Sequence, residues 1–82
     1  MKRDLLKAID LALAGKWDVA HSTVQRYDSD VTAAWIHGVL HKIEGDRNNS
    51  GYWYRRAGKT QHLEDEPGAE LEQIREALSD ID

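Results

Sequence analysis

Residues 33–58 read AAWIHGVLHKIEGDRNNSGYWYRRAG, and this stretch decides the fold. In its first half, apolar residues recur at helical spacing from Ile36 to Ile43, which predicts one helix. The sequence EGD at 44–46 predicts a turn, and small and aromatic residues resume the helical spacing between Ser50 and Ala57. The stretch therefore predicts a helical hairpin.

The flanking sequence predicts three further helices. Leucine, isoleucine and alanine residues form a stripe over 5–13 that ends at Gly15, and a second helix follows from Trp17 to about residue 27. The third helix is expected over about 31–44, with Asp30 or Ser29 as its cap, and the fourth over about 47–57, capped by Asp46. The fifth begins near Pro67, with Glu66 or Asp65 as its cap and one narrow apolar stripe: Leu71, Ile74, Leu78 and Ile81.

These elements predict an all-α chain of five helices, arranged as two antiparallel hairpins plus a C-terminal helix. The two hairpins match in kind at an offset of thirty residues, which indicates an internal repeat. Small residues at matching positions of the paired helices allow them to approach closely. The matched small residues are Ala8 with Gly38 and Ala20 with Ser50.

The second hairpin resembles a tetratricopeptide repeat. Small, turn, small, aromatic and alanine positions of that family match Gly38, Gly45, Ser50, Tyr54 and Ala57. The first hairpin matches through Ala8, Gly15, Ala20 and Val24, and WYRRAG is similar to the ending of Sel-type repeats. The string AWIH, EGD, YWYRRAG also resembles small bacterial proteins of uncharacterised function. The resemblance implies a right-handed array of two repeats, about 3–27 and about 31–58, with a capping helix at about 67–79, and a habit of binding partner proteins.

Length and charge limit the class of protein. With 82 residues and no cysteine, the chain predicts one domain in a reducing, cytoplasmic setting. Charged residues interrupt the apolar N-terminal run, which argues against a signal peptide, and no run is long enough to span a membrane. The net charge of −4 is divided unevenly, since the segment from Glu64 onwards carries −7 and the first 63 residues carry +3. This asymmetry favours docking of the last helix or association between copies.

The favoured functional hypothesis is a small protein-interaction module. A groove beside the third helix, edged by His37, His41 and Glu44 and reached by Tyr52 and Arg56, would receive a peptide, a partner helix or another copy of the chain. An array of two repeats has little surface to shield both of its ends, so homo-oligomers are expected. The identity of the partner does not follow from the residues.

A divalent-metal site is the first alternative. His37 and His41 lie four residues apart on one helix with Glu44 on the same stripe, which is half of a zinc or nickel site and needs a further ligand such as His21 or His62. The competing interpretation is that these histidines border the core and hydrogen-bond to neighbours. No cysteine or second motif of fixed spacing raises the specificity of the pattern.

Nucleic-acid binding is the second alternative. Aromatic and basic residues are mixed along and just after the fourth helix, as they are on platforms for single strands. The net negative charge of the chain argues against such binding, and a stripe of basic side chains exposed to solvent is the ordinary explanation. The residues concerned are Tyr52, Arg55, Arg56 and Lys59. Because the chain lacks a phosphate-binding loop, an HExxH motif and a nucleophile motif, no catalytic residue and no cofactor is expected.

Overall fold

The computed structural model describes residues 1–79, and Ile81 of the predicted stripe lies outside them. These residues form five α-helices, which confirms the predicted all-α class. The helices are α1 (Lys2–Leu13), α2 (Trp17–Gln25), α3 (Val31–Glu44), α4 (Arg47–Ala57) and α5 (Pro67–Ser79), with a short 3-10 turn at Thr60–His62. Between residues 1 and 79 there is no β-strand. Over the same range, every helix is too short or too polar to cross a bilayer.

Side-chain caps fix where three of the helices begin. Carboxylates of Asp30, Asp46 and Glu66 each accept a hydrogen bond from the backbone N–H three residues further on, at 2.9, 3.2 and 2.8 Å. Such bonds satisfy amide groups that the first helical turn leaves unpaired. At the other end, α3 and α4 stop at Gly45 and Gly58, whose φ angles of +85° and +69° suit glycine. Capping residues and glycines in the sequence therefore set the helix limits.

Helix α3 is the centre of the fold. It contacts all four other helices, and its residues 33–41 are all buried. Ile43, the last residue of the apolar pattern that begins at Ile36, is 43% exposed, and Val31 near the other end of the helix is 54% exposed. Only the middle of α3 is enclosed by its neighbours, so the apolar residues of this helix extend beyond its buried part.

Helices α3 and α4 approach closely at Gly38. The hydroxyl of Ser50 donates a hydrogen bond to the Gly38 carbonyl at 3.0 Å, and the ring of Tyr54 lies over the same glycine. A β-carbon at position 38 would lie 2.8 Å from Cδ2 of Tyr54. The small residues that the sequence pairs across this hairpin are therefore the ones that permit the contact.

Replacing Gly38 by alanine should lower the free energy of unfolding by about 1–3 kcal/mol, because overpacking outweighs the better helix propensity of alanine. The matched control is Gly51→Ala on α4, where the nearest atom to the new β-carbon is the movable Nη1 of Arg55 at 3.1 Å. That change should raise stability by about 0.5–1 kcal/mol. Urea unfolding followed by circular dichroism measures both, and equal effects of the two changes would refute the close approach.

Helix α5 closes the fold by packing against α1 and α3, the first helices of the two hairpins. Leu71, Ile74 and Leu78 form its buried stripe, as the sequence predicts. The buried carboxylate of Glu70 is a feature that the sequence does not predict, since glutamate is almost never buried unless it is paired. A tetratricopeptide-like handedness and stacking of the hairpins stays a prediction.

Glu70 is held by donors from two other helices. Trp35 Nε1, Tyr54 Oη and Lys42 Nζ donate to its carboxylate at 2.8, 2.7 and 2.7 Å. Lys42 also donates to two backbone carbonyls of the segment that leads into α5, those of His62 and Asp65. Burial and the hydrogen bond to Glu70 raise the pKa of Tyr54, so this hydroxyl stays a donor. The buried carboxylate therefore joins α3, α4 and α5.

Candidate metal centre

Three of the four histidines meet between α2 and α3. His37 and His41 lie one turn apart on α3 and face His21 on α2. The Nε2 atoms of His21 and His37 are 3.0 Å apart, and one ring nitrogen from each of the three residues lies within 4.8 Å of the others. The fold thus gathers three imidazoles from positions up to twenty residues apart.

Two tryptophans fix the orientation of the imidazoles. Trp17 stacks on His21 with ring centroids 4.5 Å apart, and Trp53 stacks on His37 at 3.9 Å. The indole N–H of Trp17 donates to the Leu40 carbonyl at 2.6 Å, which ties α2 to α3 beside the cluster. Because each of these rings is stacked on an indole, His21 and His37 have little freedom to turn.

The hydrogen bonds of His41 and His37 differ. Nδ1 of His41 lies 2.7 Å from a carboxylate oxygen of Glu44, an arrangement that holds this nitrogen protonated and leaves Nε2 with its lone pair. His37 is 3% exposed, and its Nδ1 is buried with no hydrogen-bond partner in the described part of the chain. A buried polar atom without a partner costs free energy, so His37 is only partly satisfied: its Nε2 contacts His21, while its Nδ1 has no partner among the described residues.

The surroundings of the cluster disfavour the protonated, positively charged form of two of its histidines. Burial, together with the neighbouring imidazoles of His21 and His41, lowers the pKa of His37 to about 3. Burial and His41 also lower the pKa of His21, while Glu44 and Asp18 act in the opposite direction. At neutral pH these two rings are therefore uncharged bases, which is the protonation state that a metal ligand needs.

The metal-free protein should lose stability as the pH falls. The unfolded chain protonates a histidine at its ordinary pKa of 6.5, whereas folded His37 resists protonation down to about pH 3. Stability therefore declines between these values by at most about 1.4 kcal/mol per pH unit for this residue. Urea unfolding at pH 7, 6 and 5 measures the slope. His37→Gln should reduce this slope by up to about 1.4 kcal/mol per pH unit, the contribution of one proton. An unchanged slope would show that His37 does not titrate in this way.

The structure brings together most of the sequence-predicted ligands. His37, His41 and Glu44 are adjacent, and His21 is the further ligand that the sequence required. His62 lies elsewhere, tilted against Trp35 with its Nδ1 2.6 Å from Asp65. It belongs to a separate group of potential ligands, with Asp65 and Glu70, and it therefore serves as the control for zinc binding outside the three-histidine cluster.

The residues predicted to contact a partner divide into two groups. His37 and His41 are 3% and 8% exposed, whereas Tyr52 on α4 is 44% exposed. Arg56 donates to the Tyr52 hydroxyl at 3.2 Å and is also exposed. Partner binding stays a prediction, and its accessible residues are Glu44, Tyr52 and Arg56.

The stripe proposed for single-stranded nucleic acid is likewise divided. Arg55 and Arg56 are exposed on α4, but Lys59 lies over the ring of Trp35 at 4.6 Å from its centroid. Arg56 also donates to the backbone carbonyl of Asp28. Three of the four residues, Tyr52, Arg56 and Lys59, are thus engaged in contacts within the chain, and nucleic-acid binding stays a prediction.

Sequence reasoning missed the stacking tryptophans and the position of Asp46. The sequence pattern assigns Trp17 and Trp53 no role at the site, and it assigns Asp46 only the capping of α4. The spacing of four between Trp17 and His21 was a usable signal, since it places both on one face of α2. Asp46 gave no such signal, because its position near His41 depends on how α3 turns into α4.

Comparison with known proteins leaves the candidate site to be argued from its geometry. The chain matches no protein-family model, no curated protein and no solved structure. The resemblance to tetratricopeptide and Sel-type repeats therefore stays a prediction from the residues that carry it.

Proposed function

We propose that this protein binds one divalent transition-metal ion, of the zinc class, through His21, His37 and His41. The observation that carries the proposal is the convergence of three imidazole nitrogens within 4.8 Å of one another. Glu44 would accept a hydrogen bond from His41 and so orient this ring, as carboxylates commonly do for metal-bound histidines.

The distances suit a tetrahedral ion. With zinc–nitrogen bonds of about 2.0–2.1 Å, ligand nitrogens of such a site lie about 3.3 Å apart. The His21–His37 separation of 3.0 Å falls just below this value, and the His41 nitrogen lies within 4.8 Å of both. An ion placed between the three lone pairs would replace the single proton that His21 and His37 can share.

The donor set restricts the kind of ion. Three neutral imidazoles without a thiolate suit zinc, nickel and copper, whereas magnesium and calcium prefer oxygen ligands. Three protein ligands also leave a fourth tetrahedral position for water or another ligand. The interaction module predicted from the sequence stays the alternative, and Tyr52 and Arg56 are the exposed residues that would serve it.

Calorimetric titration tests the proposal directly. Tag-free, metal-stripped protein should bind one equivalent of zinc chloride with saturation. Its melting temperature should rise when zinc is added, since the ion binds the folded state. Magnesium chloride should do neither. His62→Ala is the matched control and should behave like the parent protein, because this histidine lies outside the cluster. Absence of saturable zinc binding would end the proposal.

A further inference from the structure

A second group of potential ligands shares a residue with the three-histidine cluster. His41, Glu44 and Asp46 each place one ligand atom within 4.8 Å of the others. Glu44 is exposed, with 38% of its side-chain surface accessible, and Asp46 is half-buried. We call this group the outer position and the three-histidine cluster the inner position. The outer position is the more accessible, and His41 belongs to both.

The two positions are alternatives for one ion. A neutral imidazole has one lone pair, on either Nδ1 or Nε2. Nδ1 of His41 faces Glu44 at 2.7 Å, so it serves the outer position, and Nε2 is the nitrogen left for the inner one. An ion on Nδ1 requires a proton on Nε2, and the reverse holds for an ion on Nε2. Occupying both at once would need an imidazolate, so one ion per chain is expected.

Access to the inner position is restricted. His37 is 3% exposed and His21 is half-buried, and the indoles of Trp53 and Trp17 each stack on one face of these two rings. Carboxylates, in contrast, lie at the exposed end of the cluster. A hydrated dication is attracted to a cleft lined by negative charge, which raises its local concentration and its rate of association. The carboxylates are thus placed to meet the ion before the buried imidazole of His37 does.

We propose that His41, Glu44 and Asp46 form a loading position, from which a divalent ion passes to His21, His37 and His41. This inference rests on the proposed function. On transfer, the bond from the ion to Nδ1 of His41 breaks and a bond to Nε2 forms. The proton that leaves Nε2 is balanced by one taken up on Nδ1, where it is donated to Glu44. The ion therefore ends at the inner position, and Glu44 accepts the hydrogen bond from Nδ1 of His41.

Stopped-flow mixing with zinc chloride tests the route. Trp17 and Trp53 stack on inner-position ligands, so their fluorescence reports occupancy of that position. Asp46→Asn removes one charge and keeps a residue that caps α4 well. Asp30→Asn is the matched control, because Asp30 caps α3 in the same way outside both positions. Glu44→Gln removes the second charge and retains an acceptor for His41 Nδ1.

A loading position speeds both arrival and departure. Asp46→Asn and Glu44→Gln should each slow zinc association by about tenfold or more and should slow dissociation into a chelator as well. The dissociation constant for Asp46→Asn should therefore stay within about threefold of the parent value, while Asp30→Asn should leave both rates unchanged.

Two results would overturn the route. Lower affinity with an unchanged association rate would mean that the carboxylates only hold His41 in place. Unchanged rates in both variants would also overturn it while leaving the inner position intact, whereas failure of the parent protein to bind zinc would refute the proposed function itself.

Discussion

Replacing Glu70 by alanine should lower the free energy of unfolding by about 3–5 kcal/mol, the usual cost of breaking a buried ion pair on one side. The substitution removes the acceptor for Trp35 Nε1 and Tyr54 Oη and leaves Lys42 with two carbonyl partners. A buried donor without an acceptor costs about 1–3 kcal/mol. Because the three donors come from α3 and α4, the effect should appear as global unfolding, which urea titration followed by circular dichroism measures.

Two variants separate the role of Glu70 from that of its helix. Glu72→Ala, on the exposed face of α5, removes a contact to Arg75 at 3.3 Å and should change stability by less than about 0.5 kcal/mol. Glu70→Gln keeps an acceptor but loses the charge, so its loss should fall between the two alanine variants. Equal stability of Glu70→Ala and Glu72→Ala would mean that the buried carboxylate does not hold the helices together.

Replacing His37 by glutamine should weaken zinc binding by at least about 100-fold. Changing a residue that only hydrogen-bonds to a metal ligand already lowers metal affinity by about 10–100-fold. The remaining two imidazoles leave the ion with one protein ligand fewer than catalytic zinc sites use. The same substitution at His62 should change the affinity by less than about threefold, because that ring pairs with Asp65 outside the cluster. Competition with a fluorescent zinc chelator measures both constants, and comparable losses at the two positions would refute a specific site.

The helix limits followed from the sequence because they are marked locally. Asp30 and Asp46 accept bonds from backbone amides three residues ahead, and Gly45 and Gly58 adopt the left-handed conformation that ends a helix. Such signals depend on the neighbouring residues alone. The handedness of the array depends instead on how the hairpins pack, which is why it stays a prediction.

The site was predictable only in part for the same reason. His37 and His41 share a face of α3 through their spacing, and Glu44 follows on the same stripe. His21 joins them because of the rotation of α2 about its axis, which the sequence does not specify. Glu70 is the extreme case, since its partners Lys42 and Trp35 lie 28 and 35 residues earlier in the chain. A glutamate beside an apolar stripe is normally exposed, so no local pattern distinguishes this one.

Nitrogen-15 spectra of the imidazole rings during a zinc titration test the central claim most directly. With one equivalent of zinc, the ring signals of His21, His37 and His41 should shift together, and Nε2 of His41 should become the metal-bound nitrogen while Nδ1 keeps its proton. The signals of His62 should stay in place. Spectra in which zinc leaves His37 unaffected, or shifts all four histidines gradually and without saturation, would contradict a three-histidine metal site.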